Sequence, residues 1–254
     1  MSKPYELSPI PGGSKSDLII TYSDYSRNKL EKLGFNNIKR IYPGIDVDLF
    51  SPAPKKQELM KKFGFAENDF VVNFAGEYTR LNAIDDVVEA SIEASKKMPD
   101  IKLSLAVRIK NEKDAEKKIE IIEKLKRNNF FEKVSFQDDG SYQMQDVFNL
   151  CDVSLFPVQN MKGKFDVPLA IVEAMACGKP VIISDLPILK EFANEQNSVT
   201  IEAGNVKQLS EKILDIYQNK QKRVEIGKNA RKYVEENFDI KKVAEKYQEI
   251  YSNL

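Results

Sequence analysis

The chain of 254 residues contains no histidine and has only two cysteines. The lack of histidine excludes catalytic triads with an imidazole base and zinc sites that need imidazole ligands. Cys151 and Cys177 lie in apolar segments without metal-ligand spacing. We therefore expect two buried thiols in a reducing compartment, neither of them a nucleophile. Carboxylates, basic side chains and backbone dipoles must carry the chemistry.

The sequence also lacks net charge and long apolar runs. Its 39 basic residues balance its 39 acidic ones, so there is no global basic surface for nucleic acid or an anionic membrane. No apolar run approaches the roughly 20 residues that span a bilayer, and the first residues lack the apolar core of a secretory signal. We expect a cytoplasmic globular protein that does not bind nucleic acid.

The most informative segment runs from Phe165 to Asp185. Residues 169–177 are apolar or small except for Glu173, which predicts a helix buried nearly all round. Gly178 suits the left-handed position that ends a helix, and the β-branched run 181–183 predicts a buried parallel strand. A single carboxylate on such a helix indicates a function.

Strands and helices alternate regularly along most of the chain. The patterns predict strands at 18–22, 38–42, 70–75, 102–107, 134–136, 153–156 and 181–183, with helices at 24–33, 56–63, 83–97, 112–128, 144–150 and 169–177. Beyond residue 205 three amphipathic helices are predicted, at 206–218, 220–236 and 240–251. This order predicts an α/β fold with a doubly wound, Rossmann-like parallel sheet and additional C-terminal helices.

Ligands of open α/β sheets bind beyond the carboxyl ends of the strands, where loops meet helix N-termini. Two loops of this kind are prominent, 76–83 and 163–168. At these residues the chain resembles the C-terminal, donor-binding half of GT-B glycosyltransferases, specifically the retaining family 4 (group 1) enzymes. The most specific match is PLAIVEAMACGKPVI at 168–182, and residues 149–153 and 237–238 support it.

The resemblance implies a nucleotide-sugar site. Glu173 is expected to hold the ribose hydroxyls, and the amides of Leu169 and Ala170 are expected to face the diphosphate, because helix N-termini favour anions. The backbone around Phe136 and Gln137 is expected to contact the base. The simpler alternative for Glu173 is a charged residue on a solvated edge of the helix.

The Gly76 loop departs from the family pattern. Gly76 is expected to lie at the donor diphosphate, although a simple strand-to-helix turn is the alternative. The family has an arginine directly after this glycine and a lysine before the next helix; here those positions hold Glu77 and Asn82. Arg80, between them, is predicted to be the catalytic cation at the phosphates. Lys164 is a further candidate. An exposed loop charge is the alternative interpretation for both residues, and for Lys164 it is at least as good as a phosphate contact.

A second departure concerns the donor sugar. The resemblance implies an acidic residue eight positions before Glu173, where this chain has Phe165. Asp166 either takes that role with a shifted loop, which we favour, or the sugar contact is lost. Asp166 is therefore predicted as a catalytic and donor-binding residue.

The resemblance also divides the chain. We predict a flexible lead-in at 1–16, the end of an N-terminal acceptor domain with its hinge at 17–50, the nucleotide-sugar domain at 51–238 and a crossover helix at 239–254. Most of the acceptor half is absent from the sequence. The apolar positions of the last helix, including Val243 and Ile250, are expected to need a partner.

These features predict a retaining, metal-independent hexosyltransferase, or its donor-binding half, with a UDP- or GDP-sugar as substrate and no cofactor. The acceptor, a glycan, a lipid or a small molecule, would be bound by a separate acceptor-domain chain or a missing segment, through which peripheral membrane association is possible. One alternative is a non-catalytic nucleotide-sugar-binding or scaffold protein. A weaker one, an epimerase or dehydrogenase, is disfavoured because no GxGxxG motif opens a helix.

Overall fold

A small parallel unit begins the structure, a computed structural model that describes residues 16–162 and 166–253. It consists of β1 (Ile19–Thr21), α1 (Asp24–Lys32) and β2 (Ile38–Arg40), with Ile19 opposite Ile38 in the parallel register. Ser23 is the N-cap of α1, because its hydroxyl accepts the backbone N–H of Ser26.

Regular alternation of helices and strands follows. The elements are α2 (Gln57–Phe63), β3 (Phe70–Gly76), α3 (Ala83–Ser95), β4 (Ile101–Val107), α4 (Glu112–Arg127), β5 (Val134–Phe136), α5 (Met144–Leu150), β6 (Val153–Phe156), α6 (Leu169–Ala176), β7 (Val181–Ser184), β8 (Val199–Ile201), α7 (Val206–Gln218), α8 (Lys220–Asn237) and α9 (Ile240–Tyr251). A short 3-10 turn at Phe131–Lys133 precedes β5.

The central sheet has six parallel strands in the order β5-β4-β3-β6-β7-β8. β3 pairs with β4 from Phe70↔Ile101 to Gly76↔Val107, and with β6 on its other side. The chain order reverses between β3 and β6, so the carboxyl ends of these strands flank the point where open α/β sheets bind ligands. The predicted fold class is confirmed.

The core lies on both faces of this sheet. All residues of β3 except Gly76 are buried, as are all residues of β4 except Lys102. α6 has five buried residues among eight, which agrees with its apolar sequence. Cys151 and Cys177 are free and buried, and burial raises the pKa of each thiol to about 12.

The sequence patterns missed the edge strand β8. It contains only three residues, and it follows a polar stretch that gave no strand signal. Its pairing with β7, Ile182↔Val199 to Ser184↔Ile201, supplies the hydrogen bonds that stabilise so short a segment. Tertiary pairing therefore decided this element.

The end of the chain returns to the small unit. The segment before α9 pairs with the hinge, where the N–H of Ile45 donates to the carbonyl of Phe238 over 2.8 Å. Val243 and Ile250 of α9 pack with Ile41 in a separate apolar cluster. α9 thereby covers the small unit with its apolar face.

Candidate functional site

Glu173 lies in the middle of α6 as its one acidic residue. Within the described part of the chain, no hydrogen bond or ion pair reaches its half-buried carboxylate. Burial raises the pKa of Glu173, because desolvation disfavours the ionised form. A partly desolvated carboxylate without a partner is costly, which marks it as a candidate binding group.

The N-terminus of α6 is not capped by a side chain. Pro168 occupies the N-cap position and makes no capping hydrogen bond through its side chain. The first N–H groups of a helix have no partner within the helix, so those of Leu169 and Ala170 are available to an anion. As a proline, Pro168 has no N–H to offer.

A cavity of about 580 Å³ lies at the carboxyl ends of the central strands. It is lined by Gly76 at the end of β3, Ala106 of β4, Phe156 of β6 and the start of α6. Glu173 lines it as well. Of the predicted site residues that the structure describes, five therefore share one cavity: Gly76, Arg80, Leu169, Ala170 and Glu173.

Two basic residues that the sequence interpretation missed line the same cavity. Arg108 and Lys110 follow the last residue of β4, and both are exposed. Their signal was available, since they are the first charged residues after a buried parallel strand. Cations for the diphosphate were predicted only in the loops before α3 and α6.

Glu77, the acid in the place of the family arginine, is part of a charge cluster. Its Oε1 lies 2.8 Å from Nζ of Lys110, and its Oε2 lies 3.9 Å from Nη1 of Arg80. The Glu77 side chain is 14% exposed, whereas that of Lys110 is 56% exposed. Glu77 is therefore the more buried member of this ion pair, and Lys110 is the more exposed one.

Asp114 connects the loop after β3 with the loop after β4 through hydrogen bonds. Its buried carboxylate accepts the Thr79 hydroxyl over 2.8 Å and the Lys110 backbone N–H over 3.1 Å. It also accepts the side-chain amide of Asn111 over 3.0 Å. The loop after β3 and the loop after β4 are thus fixed to one anchor at the start of α4.

Asp166 stands beside the cavity and contacts the small unit. Its Oδ2 accepts the hydroxyl of Ser23 over 2.6 Å, and the next residue, Val167, lines the cavity. Glu191 binds the same end of α1 by accepting the N–H groups of Asp24 and Tyr25, each over 2.6 Å. Two acids of the larger unit therefore hold the amino end of α1.

Among the described residues, the predicted site residues Asn82, Phe136, Gln137 and Asp166 do not line the cavity. Asn82 is exposed with a left-handed backbone (φ 52°), and its side chain does not cap α3. Gln137 is buried after β5 and accepts the Ser104 hydroxyl, while half-buried Phe136 has the Lys118 ammonium over its ring. Lys164 lies outside the described residues, as does Phe165. Their roles stay predictions.

In the described ranges no group of three or more acidic or cysteine side chains is arranged to hold a metal ion. Across the same ranges, no helix is both long enough and apolar enough to cross a bilayer.

Comparison with known proteins gives a family match. The model described as "Glycosyl transferases group 1" matches residues 55–233. An uncharacterized glycosyltransferase of Methanocaldococcus jannaschii is 19% identical over 94% of this chain and 59% of its own. The GDP-mannose-dependent monoacylated alpha-(1-6)-phosphatidylinositol monomannoside mannosyltransferase of Corynebacterium glutamicum is 23% identical over 88% of this chain and 58% of its own. The chain spans about three fifths of these relatives.

Solved structures share the fold. HepE of Anabaena, crystallised in complex with UDP-glucose, matches 94% of this chain and 64% of its own, with a TM-score of 0.81 and 23% identity. The C-terminal domain of the group 1 glycosyl transferase LpcC from Francisella tularensis matches over its whole length and 78% of this chain, with a TM-score of 0.67 and 20% identity.

Proposed function

The chain belongs to the glycosyl transferases group 1 family, and from this premise we propose that it is the donor-binding part of a retaining hexosyltransferase that uses a UDP- or GDP-sugar. The observation that supports this most strongly is the Glu173 carboxylate, which has no partner among the described residues and shares a cavity with the start of α6, where no side chain caps the helix. The carboxylate can accept hydrogen bonds from vicinal hydroxyls, and the helix start can bind a diphosphate. A nucleoside diphosphate carries both.

Each residue has a part in this proposal. The amides of Leu169 and Ala170 bind the diphosphate, assisted by the partial positive charge at the start of α6. Glu173, one turn further along the helix, accepts the ribose hydroxyls. Gly76 leaves room for the ring of Phe74, which a side chain at this position would overlap, and in this proposal its backbone lies beside the donor diphosphate. Asp166 holds a hydroxyl of the hexose.

Transfer requires stabilisation of the leaving group. When the bond between the anomeric carbon and the diphosphate breaks, the electron pair stays with the diphosphate. Arg80 and the α6 amides, which line the same cavity, would stabilise that charge, which is why we propose a reaction without a metal ion. The acceptor hydroxyl then forms the new glycosidic bond on the face that the diphosphate left, and its proton passes to an oxygen of the departing diphosphate.

The donor base and the acceptor are open within this proposal. A relative is named for GDP-mannose and a structural neighbour holds UDP-glucose, so both nucleotides are candidates. The acceptor, whether glycan, lipid or small molecule, would be bound by residues outside this sequence or by a separate acceptor-domain chain. Peripheral membrane association would come through that half.

Calorimetric titration with UDP, GDP and their sugars tests the donor site. We expect one nucleotide family to bind the wild type, and Glu173→Ala to weaken binding at least tenfold, as expected for about 1.5 kcal/mol from hydrogen bonds to a charged group. Glu211→Ala, which removes an exposed glutamate from α7, is the matched control. Absence of binding by the wild type would refute the proposal.

A non-catalytic sugar-nucleotide-binding protein is the second candidate. Its support is the Gly76 loop, where Asn82 replaces the family lysine and is not among the residues that line the cavity. Donor hydrolysis or transfer, assayed alone and with a candidate acceptor-domain chain, separates the two functions. Donor binding without turnover in every pairing would favour this second candidate.

A further inference from the structure

We propose that Arg108 and Lys110, in the loop after β4, neutralise the diphosphate of the donor, and that Glu77 anchors Lys110 for this purpose. The inference rests on the proposed function, since it assigns a charge partner to the same ligand. It gives a role to a loop that the sequence interpretation did not consider.

The pairing of β3 with β4 places the loop of Arg108 and Lys110 beside the Gly76 loop. Gly76 and Val107 are opposite each other in the last pair of the β3-β4 register. The loops that begin after these two residues therefore start side by side at the carboxyl edge of the sheet. Arg108 and Lys110 line the cavity that the start of α6 also lines. The diphosphate would lie between these cations and the α6 amides.

The charges of the cavity agree with this assignment. Among its described lining residues are three cations, Arg80, Arg108 and Lys110, and two acids, Glu77 and Glu173. Glu173 is committed to the ribose in the proposed function. Glu77 pairs with Lys110 and Arg80, which leaves a net positive charge in that cluster. A diphosphate therefore meets a positive surface although an acid has replaced the family arginine.

The loop is held in place before any ligand arrives. Asp114 accepts the Lys110 backbone N–H, while the Glu77 carboxylate holds the Lys110 ammonium at 2.8 Å. Backbone and side chain of Lys110 are thus each tied by one acid. A cation fixed in this way loses less conformational entropy when it binds a phosphate oxygen. The alternative role for Lys110 is a solvated surface ion pair, which would not affect ligand binding.

Calorimetry on the full chain tests the assignment with Arg108→Gln, Lys110→Gln and the double variant. The probe is whichever of UDP and GDP the wild type binds, compared with the corresponding nucleoside. We expect each single change to weaken nucleoside diphosphate binding about tenfold, because a hydrogen bond to a charged group contributes about 1.5 kcal/mol. Nucleoside binding should stay within about twofold, since the nucleoside lacks phosphate.

Lys113→Gln is the matched control, because Lys113 is exposed at the start of α4 and does not line the cavity. Equal diphosphate affinity for the Arg108, Lys110 and Lys113 variants would overturn the inference and leave the proposed function intact. Glu173→Ala distinguishes the ribose assignment from the cation assignment. If this variant binds the diphosphate as tightly as the wild type does, while the Arg108 and Lys110 variants bind it more weakly, the assignment of Glu173 to the ribose fails. The assignment of Arg108 and Lys110 to the diphosphate then holds. A wild type that binds neither diphosphate would overturn both.

Glu77→Ala tests the anchor separately. If Glu77 holds Lys110 in place, its removal weakens diphosphate binding although the cavity loses a negative charge. If Glu77 acts only by repelling the phosphates, the same change strengthens binding, which would overturn the anchoring role. Melting temperatures without nucleotide show whether each variant is folded.

Discussion

Glu173 illustrates how one side chain can be unfavourable for folding and useful for binding. Its carboxylate is half-buried on an apolar helix, without a partner in the described structure. Hydroxyl groups of a ligand would supply the hydrogen bonds that the protein does not. In the proposed function, the ribose hydroxyls of the donor complete the site and offset this cost when the site is occupied.

The pH dependence of stability should show this cost. Burial raises the pKa of Glu173 in the folded state above its value in the unfolded chain. Between the two pKa values the folded state binds more protons, so the Glu173 contribution to the free energy of unfolding falls as pH rises through that interval. We expect Glu173→Gln to gain stability relative to the wild type over this interval, keep the gain at neutral pH, and lose it in acid.

Urea unfolding of both proteins at a series of pH values measures this difference. Nucleotide binding should show the opposite trend, since ribose hydroxyls donate best to the ionised carboxylate: wild-type affinity should fall as pH drops through the Glu173 pKa. A stability difference that does not vary with pH would contradict the explanation by burial.

Ser23 is a second residue with a double role. Its hydroxyl accepts the Ser26 N–H over 2.9 Å as the cap of α1, and donates to Asp166 over 2.6 Å. Ser23→Ala removes both bonds and should lower the free energy of unfolding by about 1–2 kcal/mol, the range of lost N-caps. Chemical denaturation measures the loss.

Two further variants serve as controls for Ser23→Ala. Ser23→Thr keeps the hydroxyl and should retain most of the stability. Ser26→Ala keeps the backbone N–H that Ser23 caps, so it should stay within about 0.5 kcal/mol of the wild type. Equal stability of Ser23→Ala and Ser26→Ala would show that these two hydrogen bonds contribute little.

At the scale of elements, the sequence predicted those with strong periodicity. α3, α4 and the helices after residue 205 were found close to their predicted bounds, since each is long and amphipathic or buried. β8 was missed because its three residues form a strand only through pairing with β7. The separation of the predicted site residues into those in the cavity and those outside it depends on loop conformations that local patterns do not encode.

The packing of α8 on α6 depends on one glycine. A Cβ at Gly227 would lie 2.2 Å from the carbonyl oxygen of Gly178, just after α6. Helix propensity alone favours Gly227→Ala by about 1 kcal/mol. We expect the opposite result, a loss of about 2 kcal/mol, because the two backbones must separate to admit a methyl group.

Urea unfolding measures this loss, and Lys228→Ala is the control. Lys228 is the next residue of α8 and is exposed, so its change should stay within about 0.5 kcal/mol of the wild type. A gain in stability for Gly227→Ala would show that α8 can shift without cost.

At the scale of the whole molecule, the small unit depends on α9. A two-stranded sheet is not stable by itself in water, so β1 and β2 need a cover. Val243 and Ile250 supply it by packing with Ile41. The predicted need of the last helix for a partner is met at these two positions by the small unit, whereas Tyr251 stays 71% exposed.

Neighbouring positions on α9 give a paired test. Ile250→Ala should cost about 2 kcal/mol, the lower end for a buried isoleucine because the site is in the last turn of a helix. Tyr251→Ala should cost less than about 0.5 kcal/mol. Hydrogen exchange of the β1 and β2 amides should become faster in the first variant and not in the second. Equal exchange in the two variants would contradict the covering role of α9.

The sequence by itself determined the fold class, the family and the Glu173 helix. Hydrophobic periodicity reports burial, and a continuous motif keeps its spacing whatever the rest of the chain does. Only the tertiary structure decided which charges share the cavity. Arg80 and Lys110 are separated along the chain, and parallel pairing of β3 with β4 brings their loops to one edge of the sheet. The same strand pairing makes Glu77 the partner of Lys110, since charge neutralisation depends on distance in space.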